Sequence, residues 1–223
     1  MSAFGGPVPT VKRFTSPEQA VSAVVDALMR IDGLTSVALT GGRAGSQITS
    51  QLISRWHAQQ PLRLWFSDER FLPLGDDGRN DSVALAAVQS QAHSLIEVES
   101  ALGPQAGATV RESAEDYAAR LVGHGLPQAA VVSIGPDGHV ASLFPGRAAL
   151  LDTRTTVVAV TDSPKPPPAR ITWTMPLLQS CPRILLVAVG ADKTDVVSRV
   201  LDGDASLPAT ALVTAEAELY VSV

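Results

Sequence analysis

The sequence predicts one α/β domain over residues 1–223, a three-layer, Rossmann-like sheet with helices on both faces. Three observations carry that prediction. Short aliphatic and β-branched runs alternate with segments whose apolar residues recur at helical spacing, which is the pattern of βαβ units. Two of the runs, residues 129–132 (A-A-V-V) and 183–189 (R-I-L-L-V-A-V), are apolar enough to be interior strands. The runs break into glycine turns at Gly41-Gly42, Gly135 and Gly190, and an open α/β sheet binds ligands beyond such strand ends.

A chain of 223 residues buries one substantial core but is short for two domains. Its net charge of −5 makes nucleic acid and anionic membrane surfaces poor partners. No apolar run approaches the roughly 20 residues that a membrane span needs. Residues 1–10 lack the basic-then-apolar layout of a secretion signal, and a single cysteine, Cys181, allows no intrachain disulfide. Both point to a reducing cytoplasm. Cys181 lies among apolar neighbours, as a structural thiol does. His57, His93 and His124 read as surface residues without metal-ligand spacing, so neither a metal nor a cofactor is expected.

Residues 11–14 read as an edge strand. Ser16-Pro17-Glu18-Gln19 starts a helix, with Ser16 as N-cap, Pro17 at the first helical position and Gln19 closing a capping box. Val21, Val24, Val25, Leu28 and Ile31 keep helical spacing on a face that covers the sheet. Residues 35–40 (T-S-V-A-L-T) form a strand, and Gly41-Gly42-Arg43-Ala44-Gly45-Ser46 leads into a helix carrying Ile48, Leu52, Ile53 and Trp56. A glycine turn at a helix start presents free N–H groups to an anion, with Thr40, Arg43 and Ser46 as further donors; tight packing alone is the alternative. The turn is neither a dinucleotide fingerprint nor a P-loop. Residues 62–67 (L-R-L-W-F-S) are the next strand, ending in Asp68-Glu69-Arg70, and Asn80 caps a following helix. Residues 95–98 are a short strand, and Ser113-Ala114-Glu115-Asp116 begins a helix running to Leu121. A strand at 155–160, a proline-rich run at 163–172, the strand at 183–189, a helix opened by Lys193 and a last strand at 217–223 complete the chain.

Residues 133–146, S-I-G-P-D-G-H-V-A-S-L-F-P-G, join these parts. The strand stops at Gly135, Pro136-Asp137-Gly138 makes a tight turn, and His139 follows at once. A histidine there exchanges protons near neutral pH, and Asp137 is close enough to orient it. A lone turn histidine is more often structural, but its place at a strand end favours chemistry. The charges add a second pattern. Arg43, Arg70, Lys165, Arg170 and Lys193 all fall in strand-end segments of a net-negative chain, which marks a site for a compact anion such as phosphate. Five cations exceed what one phosphate needs, so one or two are expected to pair with Asp68, Glu69 or Asp137.

D-G-H-V-A-S-L-F-P-G at 137–146 resembles the signature of the 6-phosphogluconolactonases. The Gly41-Gly42 turn, S-D-E-R-F-L-P with Asn80 and Ser82, S-P-K-P-P-P-A-R-I-T, G-A-D-K at 190–193 and L-P-A at 207–209 are similar to further motifs of that family. The related glucosamine-6-phosphate deaminases and isomerases share the G-H-x-A core but continue into F-N-E-P. The resemblance implies their fold, the glucosamine-6-phosphate deaminase/ribose-5-phosphate isomerase-like one. It also implies hydrolysis of 6-phospho-D-glucono-1,5-lactone to 6-phosphogluconate, the second step of the oxidative pentose phosphate pathway. On this resemblance His139 is the base that activates water, with Asp137 or Asp68 orienting it. Gly41, Gly42, Arg43, Ser46, Arg70, Lys165, Arg170 and Lys193 are the substrate-binding set. The implied partner is a small phosphosugar lactone, and the expected assembly is a monomer, with a weak homodimer as the alternative. Two other functions stay open: a sugar-phosphate deaminase or isomerase, and a non-catalytic sugar-phosphate sensor. The roughly 15 residues before the first helix are too few for a helix-turn-helix, which counts against the sensor. The chain departs from the family pattern at Gly45, where proline is more usual, and at Ser133, where glycine is common. It also lacks the W-x-x-D-x-x-A ending, in what reads as an edge strand.

Overall fold

A computed structural model of the chain describes residues 9–57, 60–91 and 95–222, so His93 and Val223 lie outside the described residues. The elements run β1 (Thr10–Arg13), α1 (Pro17–Met29), β2 (Ser36–Leu39), α2 (Gly42–Arg55), β3 (Leu62–Phe66), β4 (Asp68–Arg70), α3 (Asp81–Gln91) and β5 (Ile96–Val98). They continue through α4 (Val110–His124), β6 (Ala129–Ser133), β7 (Val157–Val160), β8 (Arg170–Trp173), α5 (Met175–Gln179), β9 (Ile184–Val189), α6 (Thr194–Leu201) and β10 (Glu218–Ser222). Seven strands form a parallel sheet in the order β1-β10-β9-β6-β2-β3-β5. From β2 the sheet grows outward through β3 and β5, and from β6 in the opposite direction through β9 and β10. The carboxyl ends of β2 and β6 therefore frame the switch point at which such sheets bind ligands.

Strands covered on both faces can be apolar on both. Val37, Leu39, Leu64, Phe66, Val131 and Val187 pack with Val21, Val25, Leu28, Ile48 and Leu52 of α1 and α2. The alternating residues Ala38, Trp65, Ala130, Val132 and Leu186 pack with Tyr117 of α4, Leu178 of α5 and Val197 of α6. Tyr117 anchors its layer twice: its ring meets Trp65 edge-on at 5.2 Å, and its hydroxyl accepts the Phe66 N–H at 2.9 Å.

One sheet is expected from the sequence, and the structure has two. The second is antiparallel, in the order β4-β8-β7. Ser67 makes the handover, since its N–H donates to Leu39 of the large sheet at 3.0 Å and its carbonyl accepts from Trp173 of the small one at 2.8 Å. Asp68-Glu69-Arg70 is thus a strand pairing with β8, and the proline-rich run is the connection of the β7–β8 hairpin.

The helix starts show where local signals compete. Ser16 accepts the Gln19 N–H at 3.3 Å as expected, but the Gln19 side chain bonds to Thr15, so the capping box is half formed. Thr109 and Glu112 make a complete capping box, which starts α4 at Val110 instead of Ser113 and makes His124 its last residue. Lys193 ends a short 3₁₀ turn, and α6 opens one residue later. β1 is the edge strand expected, but β10 lies inside it, so the departing C-terminal sequence is not an edge.

Glu69, not Asn80, caps α3. Its buried carboxylate accepts the N–H groups of Asn80 at 2.7 Å and Asp81 at 2.9 Å, together with its neighbour Arg70 at 2.7 Å. Burial, with the nearby Asp81, pushes this carboxyl up to about 7. Glu69→Ala leaves buried donors without an acceptor and is expected to cost about 2–3 kcal/mol in urea unfolding. A folded-state value above the ordinary one means that the contribution is fully present below 4.5 and is lost as pH rises through about 7. Glu69→Gln should therefore flatten the stability–pH curve across that window.

Candidate active site

The switch point opens as a cleft of about 700 Å³. Thr40, Gly41 and Gly42 enter it from the end of β2, Ser133 and Gly135 from the end of β6, and Gly190 from the end of β9. Asp68 and Arg70 come from β4, and Lys165 and Arg170 from the β7–β8 hairpin. The sequence places its candidates well, because strand ends that neighbour one another in a parallel sheet must converge. Ser46 is the exception. Since α2 begins already at Gly42, Ser46 stands in its second turn, and Gln47 takes the cleft-lining position instead.

His139 is held by its turn. Gly138 has a φ of 78°, and its N–H donates to the Gly135 carbonyl at 2.9 Å. Any side chain at position 135 would put its Cβ 1.9 Å from His139 Nδ1, so glycine there makes room for the imidazole. The 207–209 segment supports the turn from behind, with Leu207 packed on Gly138 and the Ala209 N–H donating to its carbonyl at 3.0 Å. Asp137 Oδ1 bonds to His139 Nδ1, and the Phe144 ring lies 4.5 Å from the imidazole. With its Nδ1 proton donated to the carboxylate, the ring keeps its lone pair on Nε2. Burial pushes the imidazole below its ordinary value of 6.5, Asp137 opposes this and Lys165 adds to it. The ring is accordingly neutral at pH 7. Burial raises Asp137, but the bond to His139 and the Lys165 ammonium outweigh it and hold the carboxylate below its ordinary range.

Asp137, not Asp68, is the imidazole's partner. Asp68 is buried and accepts the Ser142 hydroxyl at 2.6 Å and Asn80 Nδ2 at 3.5 Å, with Arg170 Nη1 at 3.8 Å. The five cations line the cleft with different degrees of freedom. Arg170 is 5% exposed and donates to the carbonyls of Lys165, Pro166 and Pro167, so it shapes the hairpin as well as the cleft. Arg70 spends Nη1 on the Gly78 carbonyl at 2.6 Å and leaves a buried Nε without a partner among the described residues. Lys165 Nζ lies 3.5 Å from His139 Nδ1 and 3.9 Å from Asp137, and Lys193 Nζ lies 3.5 Å from Asp192. The expected sharing of cations with carboxylates is thus met by Arg170 with Asp68 and Lys165 with Asp137. Arg43 is exposed on the first turn of α2.

One sequence departure, Gly45, finds a physical reason, and nothing in the structure explains the Ser133 side chain. At Gly45 an added Cβ would lie 2.1 Å from the Thr40 carbonyl oxygen, so the residue is required by close packing and proline would not fit this backbone. The Ser133 N–H donates to Thr40 Oγ1 at 3.4 Å and joins the ends of β6 and β2. Gly41 likewise gives way to Asn80, whose Oδ1 occupies the space a Cβ would need. Arg79 beneath it escaped the sequence reading. It is buried, paired with Asp81 at 2.6 and 2.8 Å, and bonded to the carbonyls of Leu72 and Ala101. An Arg two residues before an Asp is the only local trace of it.

A neutral histidine with a buttressing carboxylate, facing cations at the switch point of a parallel sheet, defines an α/β site for acid–base chemistry on a small anionic molecule. A family model described as glucosamine-6-phosphate isomerases/6-phosphogluconolactonase matches residues 14–221. A 6-phosphogluconolactonase of Streptomyces coelicolor is 37% identical over 216 residues, covering 86% of this chain and 79% of that protein. The crystal structure of 6-phosphogluconolactonase from Leishmania guyanensis superposes with a TM-score of 0.79 at 23% identity, covering 95% of both chains. A monomeric glucosamine-6-phosphate deaminase shares the fold at a TM-score of 0.71 and 19% identity, over 94% of this chain and 95% of that one. The chain belongs to the glucosamine-6-phosphate isomerase/6-phosphogluconolactonase family. Among the described residues no helix is long and apolar enough to cross a membrane.

Removing the Lys165 charge should raise the His139 value, because burial would then be left as the main influence opposing Asp137. An imidazole proton titration by NMR of Lys165→Met reads this directly, and an unchanged or lowered value would contradict the electrostatic assignment. Gly45→Ala is expected to lower stability by about 1–3 kcal/mol as the start of α2 is forced off Thr40, which thermal unfolding measures.

Proposed function

We propose that the chain hydrolyses 6-phospho-D-glucono-1,5-lactone to 6-phosphogluconate, with His139 as the general base. The observation that carries this reading is the Asp137–His139 pair set against a cation-lined wall, in the D-G-H-V-A-S-L-F-P-G context of a chain with 6-phosphogluconolactonase relatives. The free Nε2 takes a proton from water as the water oxygen attacks C1 of the lactone. Electrons move to the carbonyl oxygen, and when the tetrahedral intermediate collapses the ring oxygen leaves with the proton returned by Nε2. Asp137 fixes the tautomer and offsets the imidazolium charge formed in between. Lys165, Arg70, Arg43 and Lys193 supply positive potential for the phosphate, which orients C1 through an attachment remote from it. Water attacks directly, without an acyl-enzyme. The deaminase alternative draws no support from the segment after Ala141, since S-L-F-P brings no carboxylate where F-N-E-P would. We place the reaction in the cytoplasm, a reading supported by the free, buried Cys181, and assign it to one domain, supported by the family match across residues 14–221, acting as a monomer.

The test is hydrolysis of lactone generated in situ by glucose-6-phosphate dehydrogenase, with the spontaneous rate subtracted. His139→Ala should lose about 10²–10⁴-fold of the enzymatic rate. A variant with the wild-type rate would remove His139 as base, and a wild type no faster than background would remove the reaction. Protonating the base abolishes it, so kcat/KM should fall as pH drops through a value below 6.5 and be flat at neutral pH.

A further inference from the structure

His139 hangs from the large sheet, through β6, whereas Arg70 and Arg170 belong to the small one, through β4 and β8. A reaction centre divided between two sheets needs a contact that sets their spacing. Ala141 has a φ of 50°, a left-handed backbone that is costly for a residue with a Cβ and persists only where neighbours enforce it. The turn it makes aims both polar groups of Ser142 at the small sheet. The Ser142 N–H donates to Thr172 Oγ1 of β8 at 3.1 Å, and its hydroxyl donates to Asp68 Oδ2 of β4 at 2.6 Å. Arg170 Nη1 reaches the same hydroxyl at 3.4 Å. Ser142 and Thr172 are both 0% exposed, so neither exchanges these partners for water. Asp68 extends the connection, because its carbonyl accepts Asn80 Nδ2 at 2.8 Å and Asn80 packs on Gly41 at the start of α2.

We propose that Ser142 is a positioning residue that pins the His139 loop to the small sheet and thereby sets the distance between the general base and the small-sheet part of the anion-binding wall, Arg70 and Lys165. The proposal rests on the lactonase reading of this site. It gives Asp68 a part that does not require contact with the imidazole: it receives Ser142 on one side and Asn80 on the other. A serine that merely satisfied buried partners would affect stability alone.

Ser142→Ala is compared with Ser113→Ala, which removes a hydroxyl equally buried on α4 and bonded to the Leu102 carbonyl at 2.7 Å, away from the cleft. At a temperature where both variants are folded by circular dichroism, Ser142→Ala should lose about 10–100-fold in kcat with KM within about threefold, while Ser113→Ala keeps both. A second readout needs no turnover. In Ser142→Ala the His139 Cε1–H titration should move upward, because a loosened loop rehydrates the ring while Asp137, Lys165 and Asp68 remain beside it; in Ser113→Ala it should stay in place. Wild-type kcat and titration in Ser142→Ala overturn the proposal, as does an equal kcat loss in Ser113→Ala. If the wild type fails to accelerate lactone hydrolysis, the lactonase reading falls and the titration alone decides the role of Ser142.

Discussion

Two neighbouring carboxylates in a three-residue strand have to be satisfied without water, and the site is built around how that is done. Burying an ionised carboxylate is costly unless hydrogen bonds or counter-charges replace its hydration. Glu69 meets the requirement only in part with backbone N–H groups, so that its carboxyl is pushed up to about 7, but these bonds fix the start of α3 and bring Asn80 against Gly41. Asp68 meets it with Ser142 and Arg170, which fixes the loop after His139 and the base of the proline-rich hairpin. Alternation along β4 sends the two side chains to opposite sides. One short strand therefore sets both the scaffold behind the Gly41-Gly42 turn and the loop that carries His139.

The cleft's electrostatics follow from the same division. A net-negative chain concentrates cations at strand ends, but those cations are not equivalent. Arg170 is committed to loop carbonyls and Arg70 partly to Gly78, whereas Lys165 stands over the Asp137–His139 pair. This makes Lys165 the charged group that adds to burial in keeping the imidazole unprotonated, and Arg43 the exposed one of the five cations. Shared fold alone does not choose a chemistry, since a glucosamine-6-phosphate deaminase superposes on the same architecture. In the proposed reading the choice lies with the residues that follow the histidine.

Much of the large sheet was legible because its strands and helices obey local rules. Ser16 with Pro17 marks a helix start, the apolar runs alternate with helical periods, and glycine turns mark strand ends. The Asp137–His139 turn and most cleft residues were legible for the same reason, as adjacent strand ends of a parallel sheet converge whatever the loops do. The small sheet was not. Three charged residues have no usable periodicity, and β4 exists only because β8, about a hundred positions later, supplies its partner. The assignment of α3's cap to Asn80 failed because its side-chain amide is turned to the Asp68 carbonyl, while the Glu69 carboxylate accepts the Asn80 and Asp81 N–H groups.

The glycines at 41, 45 and 135 show why the motif residues around a site are constrained even where they touch no ligand. Each stands where another group already occupies the space of a Cβ: Asn80 at 41, the Thr40 carbonyl at 45 and the His139 ring at 135. Enlarging any of them displaces a neighbour that belongs to the cleft or to its floor. Interiors packed this densely pass such displacements on. The left-handed turn at Ala141 is the complementary case, because there the chain accepts strain so that Ser142 can reach the other sheet. Removing side chains at three points and enforcing an unfavourable backbone at a fourth serve one geometric end, which is to hold a neutral imidazole from one sheet against cations drawn from both.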